Sequence, residues 1–200
     1  MEYTSAAKLL KGYGIRSIES AYVRDAESAI KFSKGGKIAL KGISSRALHK
    51  SKAGLVKLNL SSKEIEPAFK EIEKRSKKFS PYRILAQRMA EPGIEIIIGG
   101  RVDPQFGKMI LLGLGGIYVE TFKDFSLRAC PITAYDARKM VSELRSRRII
   151  TYGGRGSAQL ESLLLKASKL IAQNKIGELD LNPVIVREKG YDVVDIRILW

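Results

Sequence analysis

Three side chains that offer oxygen donors alternate in the segment Glu178-Leu179-Asp180-Leu181-Asn182. Alternation places Glu178, Asp180 and Asn182 on one face of a β-strand. Asp195 follows on the next predicted strand, flanked by Val193, Val194 and Ile196. A short turn between two paired strands brings Asn182 and Asp195 within reach of each other. Such hard oxygen ligands suit Mg²⁺, which takes one or two protein carboxylates and leaves its other positions to phosphate oxygens and water. The plainer alternative is a polar strand face ending in an Asn-Pro turn. A second stretch with chemical potential is Ile110–Glu120, where Gly113, Gly115 and Gly116 stand between two apolar runs and the second run ends on Glu120. Glycines let backbone N–H groups converge on a phosphate or an oxyanion. A tight hairpin accounts for them equally well. The spacing is not the dinucleotide fingerprint, and no helical pattern follows it.

Lys41 ends an apolar strand, where an ammonium can point at an anion as a compact charge; a surface lysine is the ordinary alternative. The segment Gln87-Arg88-Met89-Ala90 joins two predicted strands. Its free backbone groups and apolar side chain could hold an adenine ring. His49 is the only histidine, in a polar loop beside Lys50 and Ser51. An imidazole with a pKa near neutrality is a possible nucleophile toward phosphorus, although most loop histidines are simply solvated. The single cysteine, Cys130, excludes an internal disulfide, suits a reducing cytosol and reads as a buried apolar residue.

The elements that must position these residues follow in chain order. A short helix covers 4–12 and a strand lies near Ser20–Val23. Asp25 caps a helix that buries Ala26, Ala29, Ile30 and Phe32 and stops at Gly35-Gly36. A strand from Lys37 closes on Lys41, and a loop over Gly42–Gly54 carries His49. Leu55–Leu60 alternates as a strand. Ser61 and Glu64 offer a capping box to a helix reaching about Lys78. Ser80-Pro81 breaks the chain, and here the sequence places a boundary between lobes 1–81 and 82–200. Strands then succeed one another quickly, with a turn at Asp103–Gly107 before the glycine stretch and a strand around Phe125–Ala129 carrying Arg128. Thr133 caps a helix, a second helix begins at Ser157, and a strand, a turn at Lys189-Gly190 and a strand close the chain. Helices and strands mix without strict alternation, so the fold class is α+β.

At 200 residues, 44% hydrophobic and 28% charged, the chain has the composition of a globular protein with one good core or two small lobes. No apolar run approaches the ~20 residues of a membrane span, and no signal peptide opens the chain. The formal charge of +15 points to nucleic acid, a polyphosphate-bearing ligand or an acidic partner. Much of the excess lies in Lys63–Lys78, where both signs mix at helical spacing, the pattern of a solvated helix face.

Several segments together resemble one family. They are ALHKSKAGLVKLNL, QRMAEPGIEIIIGGRVDPQFGKMILLGLGGIYVE, FSLRACPIT, GGRG and ELDLNPVIV with VVDIRI, spread from Tyr13 to Arg197. The chain resembles the β subunit of the ADP-forming acyl-CoA synthetases (acetate–CoA ligases), ATP-grasp proteins related to succinyl-CoA synthetase. The resemblance implies a two-lobed ATP-grasp fold with ATP or ADP and Mg²⁺ between the lobes. It implies that Lys41 binds nucleotide phosphates, that Gln87, Met89 and Ala90 lie along adenine, and that Glu95 lies near the ribose. Asn182 and Asp195 would hold Mg²⁺ with Asp180 beside them. Arg128 and Gly113, Gly115 and Gly116 would face the transferring phosphoryl group, and His49 would carry it from an α subunit. That partner would bear the CoA- and acyl-binding domains, in a cytoplasmic α2β2 assembly without nucleic acid or membrane. Where the family has an acidic residue and a Gly pair after His-Lys-Ser, this sequence has Lys52 and Gly54-Leu55. The rival readings are another ATP-grasp carboxylate ligase, in which His49 is dispensable, and a basic nucleic-acid-binding module.

Overall fold

The computed structural model describes residues 2–44, 46, 53–116, 124–152 and 156–200. Contacts divide the chain into two compact units, Ile18–Met89 and Met1–Ser17 with Ala90–Trp200.

In the first unit, strands β1 (Ser20–Val23), β2 (Ile38–Ile43), β3 (Val56–Leu60) and β4 (Arg83–Arg88) form an antiparallel sheet in the order β1-β4-β2-β3. The lobe boundary expected after residue 81 therefore falls inside this unit. A chain break at Ser80-Pro81 marks a turn, but β4 pairs with both β1 and β2 and cannot be separated from them. Two helices, α2 (Ala26–Ser33) and α3 (Ser62–Ser76), pack on one face of the sheet. Both start as the sequence predicts. The Asp25 carboxylate accepts the Ser28 N–H at 2.7 Å, and Glu64 accepts the Ser61 N–H at 2.9 Å. Their core contains Ile38 and Leu40 of β2, Ile84 and Ala86 of β4, and Ile65, Phe69 and Ile72 of α3. Two expectations fail in detail. Ile30 is exposed, because burial of Ala29 and Ser33 sets the phase of α2. The clean alternation expected of Leu55–Leu60 is also lost: the β2–β3 register shifts between Ile38 and Leu40, Asn59 takes φ 61°, and Leu58 turns outward.

In the second unit, β5 (Ile94–Asp103), β6 (Gly107–Leu114), β7 (Phe125–Ala129), β8 (Glu178–Val186) and β10 (Ile196–Leu199) form an antiparallel sheet in the order β10-β8-β5-β6-β7, and β9 (Tyr191–Val193) also pairs with β8. Asn182-Pro183 is not the turn that one reading of the sequence foresaw but lies within β8. The last predicted strand is split into β9 and β10 at Val194-Asp195. Its partner there is Pro183, which has no N–H for the ladder, and Val194 N–H donates to the Pro183 carbonyl at 3.0 Å.

Helices α1 (Tyr3–Gly12), α4 (Ala134–Glu143), α5 (Arg147–Ile150) and α6 (Ser157–Gln173) belong to this unit. Thr133 and Asp136 close the capping box of α4. Helix α6 buries Leu160, Leu163, Leu164, Leu170 and Ile171. It comes so close to β5 that a Cβ on Gly100 would stand 2.5 Å from Ile171 Cδ1. Helix α1 packs on β10, and Tyr3 Oη donates to the Val194 carbonyl at 3.0 Å.

A charged cluster joins the two ends of the unit in sequence. Asp192 on β9 is buried and accepts from Arg16 Nη2 at 2.6 Å and from Arg187 Nη1 at 2.7 Å. Burial alone would raise the Asp192 pKa. The hydrogen bonds and charges of Arg16 and Arg187 override it, and the net shift is downward. Asp192→Asn should destabilise the protein by about 3 kcal/mol at neutral pH in urea unfolding, because it leaves the half-buried Arg187 uncompensated. The folded pKa is depressed, so this stabilisation is present above the ordinary carboxylate pKa of about 4 and is lost as pH falls through the lower folded value. The difference between wild type and variant should shrink in that acid range.

Candidate functional site

The register of the six-stranded sheet separates its two faces. Ile96, Ile98, Ile110, Leu112, Leu179 and Leu181 point to the side where α6 packs. Glu95, Ile97 and Gly99 of β5, Leu111 and Gly113 of β6, and Glu178, Asp180 and Asn182 of β8 point to the other. Asp180 stands opposite Gly99 on one side and Arg197 on the other. The β8–β10 register, carried one pair further, sets Asn182 against Asp195. Asn182 N–H donates to the Asp195 carbonyl at 3.2 Å. Residues paired across strands share a face, so Asp180, Asn182 and Asp195 stand together on the face away from α6. Asp195 Oδ1 accepts the Ile196 N–H at 3.2 Å. Among the described residues no three His, Cys, Asp or Glu side chains converge. Two carboxylates and one carboxamide fit Mg²⁺ in the mode where phosphate oxygens and water complete the shell.

The glycine run continues this face. β6 extends through Gly113 to Leu114 and pairs antiparallel with β7, while residues 117–123 between them lie outside the described residues. Gly113 pairs with Ile97 on one side and Phe125 on the other. The chain then bends against β5. Gly115 N–H donates to the Glu95 carbonyl at 2.8 Å, and a Cβ on Gly115 would lie 2.9 Å from the Glu95 carbonyl carbon. Gly116 takes φ +72°, with its absent Cβ 3.1 Å from Glu95 Oε2. The bend is therefore a cradle that a side chain would fill. Glu95, Gly113, Gly115 and Gly116 are brought together on it.

Lys41 and Gln87 belong to the first unit. Lys41 pairs with Leu85, and Gln87 pairs with Ala39. These four share the sheet face turned away from the Ile38–Leu40 core. Lys41 and Gln87 are buried rather than solvated, and Gln87 Nε2 donates to Ser20 Oγ at 3.0 Å. That makes Ser20 a residue of this face which the sequence reading missed; the β1–β4 register, with Ser20 opposite Gln87, is the signal that finds it. Met89 ends the first unit, and the second resumes at Ala90.

Arg128 is not brought together with the other second-unit residues. It pairs with Ile110 and so points to the opposite face of the sheet from Gly113 and Asp180. There its Nη2 donates to Glu143 Oε1 of α4 at 2.5 Å, and its Nη1 donates to the Leu127 carbonyl at 2.7 Å. Hydrogen bonds from Arg128 and Ser126 hold the Glu143 carboxyl below its usual range. The alternation of β7 explains the placement: an arginine two residues from the buried Ser126 must share its side. Cys130 is half-buried, and burial pushes its thiol pKa up, as befits a packing residue. His49, Glu120 and the Gly153-Gly154-Arg155 part of the GGRG motif lie outside the described residues.

Two antiparallel sheets, an acidic face and a glycine bend seated on a glutamate define an ATP-grasp domain. The family model for the ATP-grasp domain matches residues 1–199. The chain is 41% identical to the β subunit of acetate–CoA ligase (ADP-forming) II of Pyrococcus furiosus, covering 100% of this chain and 90% of that one. It is 41% identical to acetate–CoA ligase (ADP-forming) I of Archaeoglobus fulgidus, where 96% of this chain matches but only 30% of the longer protein is spanned. Among solved structures it resembles, at 36% identity and a TM-score of 0.85, acetyl-coenzyme A synthetase 1 of Ca. Korarchaeum cryptofilum, covering 100% of this chain and 92% of that one. That structure holds coenzyme A and Mg-AMPPCP and has its phosphohistidine segment pointing towards the nucleotide binding site. The chain belongs to the ATP-grasp family, in the branch formed by the β subunits of ADP-forming acyl-CoA synthetases.

Gly115→Ala should cost about 1–3 kcal/mol in thermal unfolding, because the new methyl meets the main chain of β5. Gly12→Ala, where an added Cβ meets nothing within 4 Å, is the control and should be neutral or stabilising. Arg128→Ala should lower the unfolding temperature and leave Mg-nucleotide affinity unchanged in calorimetry; a selective loss of nucleotide binding would put Arg128 back among the functional residues.

Proposed function

We propose that this chain accepts a phosphoryl group on His49 from an α subunit and passes it to Mg-bound ADP. The overall reaction is acyl-CoA + phosphate + ADP = acid + CoA + ATP, in either direction. The observation that carries the reading is the single sheet face that joins Asp180, Asn182 and Asp195 to the Glu95–Gly116 bend. Asn182 and Asp195 would ligate Mg²⁺, with Asp180 beside them, and the ion would neutralise charge on the phosphate oxygens. Gly113, Gly115 and Gly116 would bring backbone close to phosphate. Lys41 would bind phosphate, Gln87, Met89 and Ala90 would lie along adenine, and Glu95 would approach the ribose. The protein's own contribution is positioning and charge neutralisation around a loose phosphoryl-transfer transition state.

The α subunit would supply the CoA and acyl sites. The threefold longer Archaeoglobus fulgidus relative supports this division, since this chain matches only 30% of it. A cytoplasmic α2β2 assembly is the arrangement we propose; no helix among the described residues is long and apolar enough to cross a membrane. The basic charge does not by itself favour nucleic acid. Lys57, Lys70 and Arg75 are each paired with Glu66 or Glu71 on or beside α3.

Asp195→Asn should lower Mg²⁺-dependent ATP formation by about a hundredfold or more while circular dichroism shows an unchanged fold. Undiminished turnover would remove Asp195 from the metal site. His49→Ala should abolish ATP formation with Mg-ADP still bound, and the wild type should carry an acid-labile, base-stable phosphate when the α subunit, acyl-CoA and phosphate are supplied. A fully active His49→Ala variant would exclude the relay and favour direct transfer from the partner.

A further inference from the structure

Arg128 turns away from the acidic face of the second sheet and leaves that face without the cation the sequence assigned to it. The register supplies another. Arg197 of β10 stands opposite Asp180 of β8, and Asp180 stands opposite Gly99 of β5. All three therefore belong to the face away from α6. The row continues to Leu111 of β6 and Leu127 of β7. Gly99 leaves open ground in it, because an added Cβ there would have no neighbour nearer than 3.7 Å. Arg197 leans on Glu178, with Nη2 3.7 Å from Oε1 and about half of each side chain exposed. An ion pair so long and so wet holds a guanidinium weakly, and a better anion displaces it at little cost.

Rows of side chains succeed one another along β5 on this face. Glu95 opens the series. Ile97 follows, and the register shift between Ile96 and Ile98 sets it beside Asn182, which is itself next to Asp195. Gly99 comes third, with Asp180 and Arg197. Glu95 and Gly99 are four residues apart, about 13 Å along a strand. A nucleotide with its ribose at Glu95 and its metal-bridged phosphates at Asn182 and Asp195 runs its terminal phosphate toward the Gly99 row. Asp180 and Glu178 would repel that phosphate. Arg197 offers the opposite charge in a planar fork of donors that matches two phosphate oxygens. Arg101, also on this face, is one row further out and pairs with Asp103 at 3.7 Å.

We propose that Arg197 binds the terminal phosphate of Mg-ATP from the row it shares with Asp180 and Gly99. The inference rests on the reading that Asn182 and Asp195 hold the metal of a bound nucleotide. It deepens that reading by telling the two nucleotides apart. ATP reaches the third row, whereas ADP, one phosphate shorter, stops at the second. Arg197 thus meets the one phosphate by which they differ, and its charge-assisted hydrogen bonds add affinity for ATP alone.

The test is calorimetric binding of Mg-ADP and of Mg-AMPPCP, an ATP analogue with an uncleavable terminal link, to the full chain at physiological ionic strength. Arg197→Gln should weaken Mg-AMPPCP by about tenfold or more and Mg-ADP by no more than about twofold, a split that general loss of structure would not produce. Arg197→Lys, which keeps the charge without the fork and protects folding, should weaken Mg-AMPPCP less than glutamine does and again spare Mg-ADP. Arg101→Gln removes the same charge one row further out and should change neither affinity by more than about twofold. Equal weakening of both nucleotides in Arg197→Gln, no weakening of either, or the same selective loss in Arg101→Gln would overturn the proposal. Asp195→Asn separates the two levels. If it weakens both Mg-nucleotides while Arg197→Gln weakens neither, only this inference fails. If it weakens neither, or if the wild type binds neither, the metal reading beneath it fails.

Discussion

The second unit depends on how closely α6 can sit on β5. At Gly100 the sheet offers no side chain, and Ile171 takes the space, with Leu179 of β8 alongside. Five large apolar residues of α6 are buried through this approach, each worth about 1.5–3 kcal/mol of transfer free energy. The hairpin that follows Gly100 then grips the end of the helix. Lys108 Nζ donates to the Ala172 carbonyl at 2.8 Å and the Asn174 carbonyl at 2.7 Å, closing carbonyls that the helix itself leaves open. Because β5 is the central strand, held by β6 on one side and β8 on the other, fixing it fixes every residue paired with it.

The neighbouring glycine has the opposite effect. Gly99 points away from the helix, and the nearest groups to an added Cβ there are at ordinary contact distance, 3.7 Å or more. Opposite it stands Asp180. One dipeptide therefore serves two faces, closing the sheet against a helix on one and keeping it low beneath a carboxylate on the other. The hydrophobic seat and the polar face thus meet at two adjacent residues, of which Gly100 leaves no room for a side chain and Gly99 does.

Much of this was legible in the sequence for identifiable reasons. Capping boxes at Asp25, Ser61 and Thr133 are local chemistry, and all three form where expected. The alternation of Glu178, Asp180 and Asn182 set their common face, and the pairing of Asn182 with Asp195 followed from a short turn. The second sheet's other facts are long-range. The division of the chain into units depends on β4 joining strands far before it, which a proline turn at residue 81 cannot reveal. Arg128 carries an attractive charge in the sequence, but the side it faces is decided by the β6–β7 register and by Glu143 on α4. The buried Asp192 cluster is likewise invisible to periodicity, since its partners are distant in the chain or on other elements.

The connectivity has a consequence for how the chain is made. Residues 18–89 form a unit of their own, while residues 1–17 belong with 90–200. During synthesis the inserted stretch has all its strands and both its helices as soon as it leaves the ribosome, and its contacts are comparatively local. The opening helix must wait. Lys166 can find Gly14 once α6 is made, but Arg16 finds Asp192 and Tyr3 finds Val194 only after residues 192–194 have emerged. Helix α1 is thus made before residues 18–89 and secured long after them, and its apolar face, with Leu10 and Ala6, stays without its native cover until β10 has been made. Agents that shield short amphipathic helices on nascent chains would find their substrate in that interval.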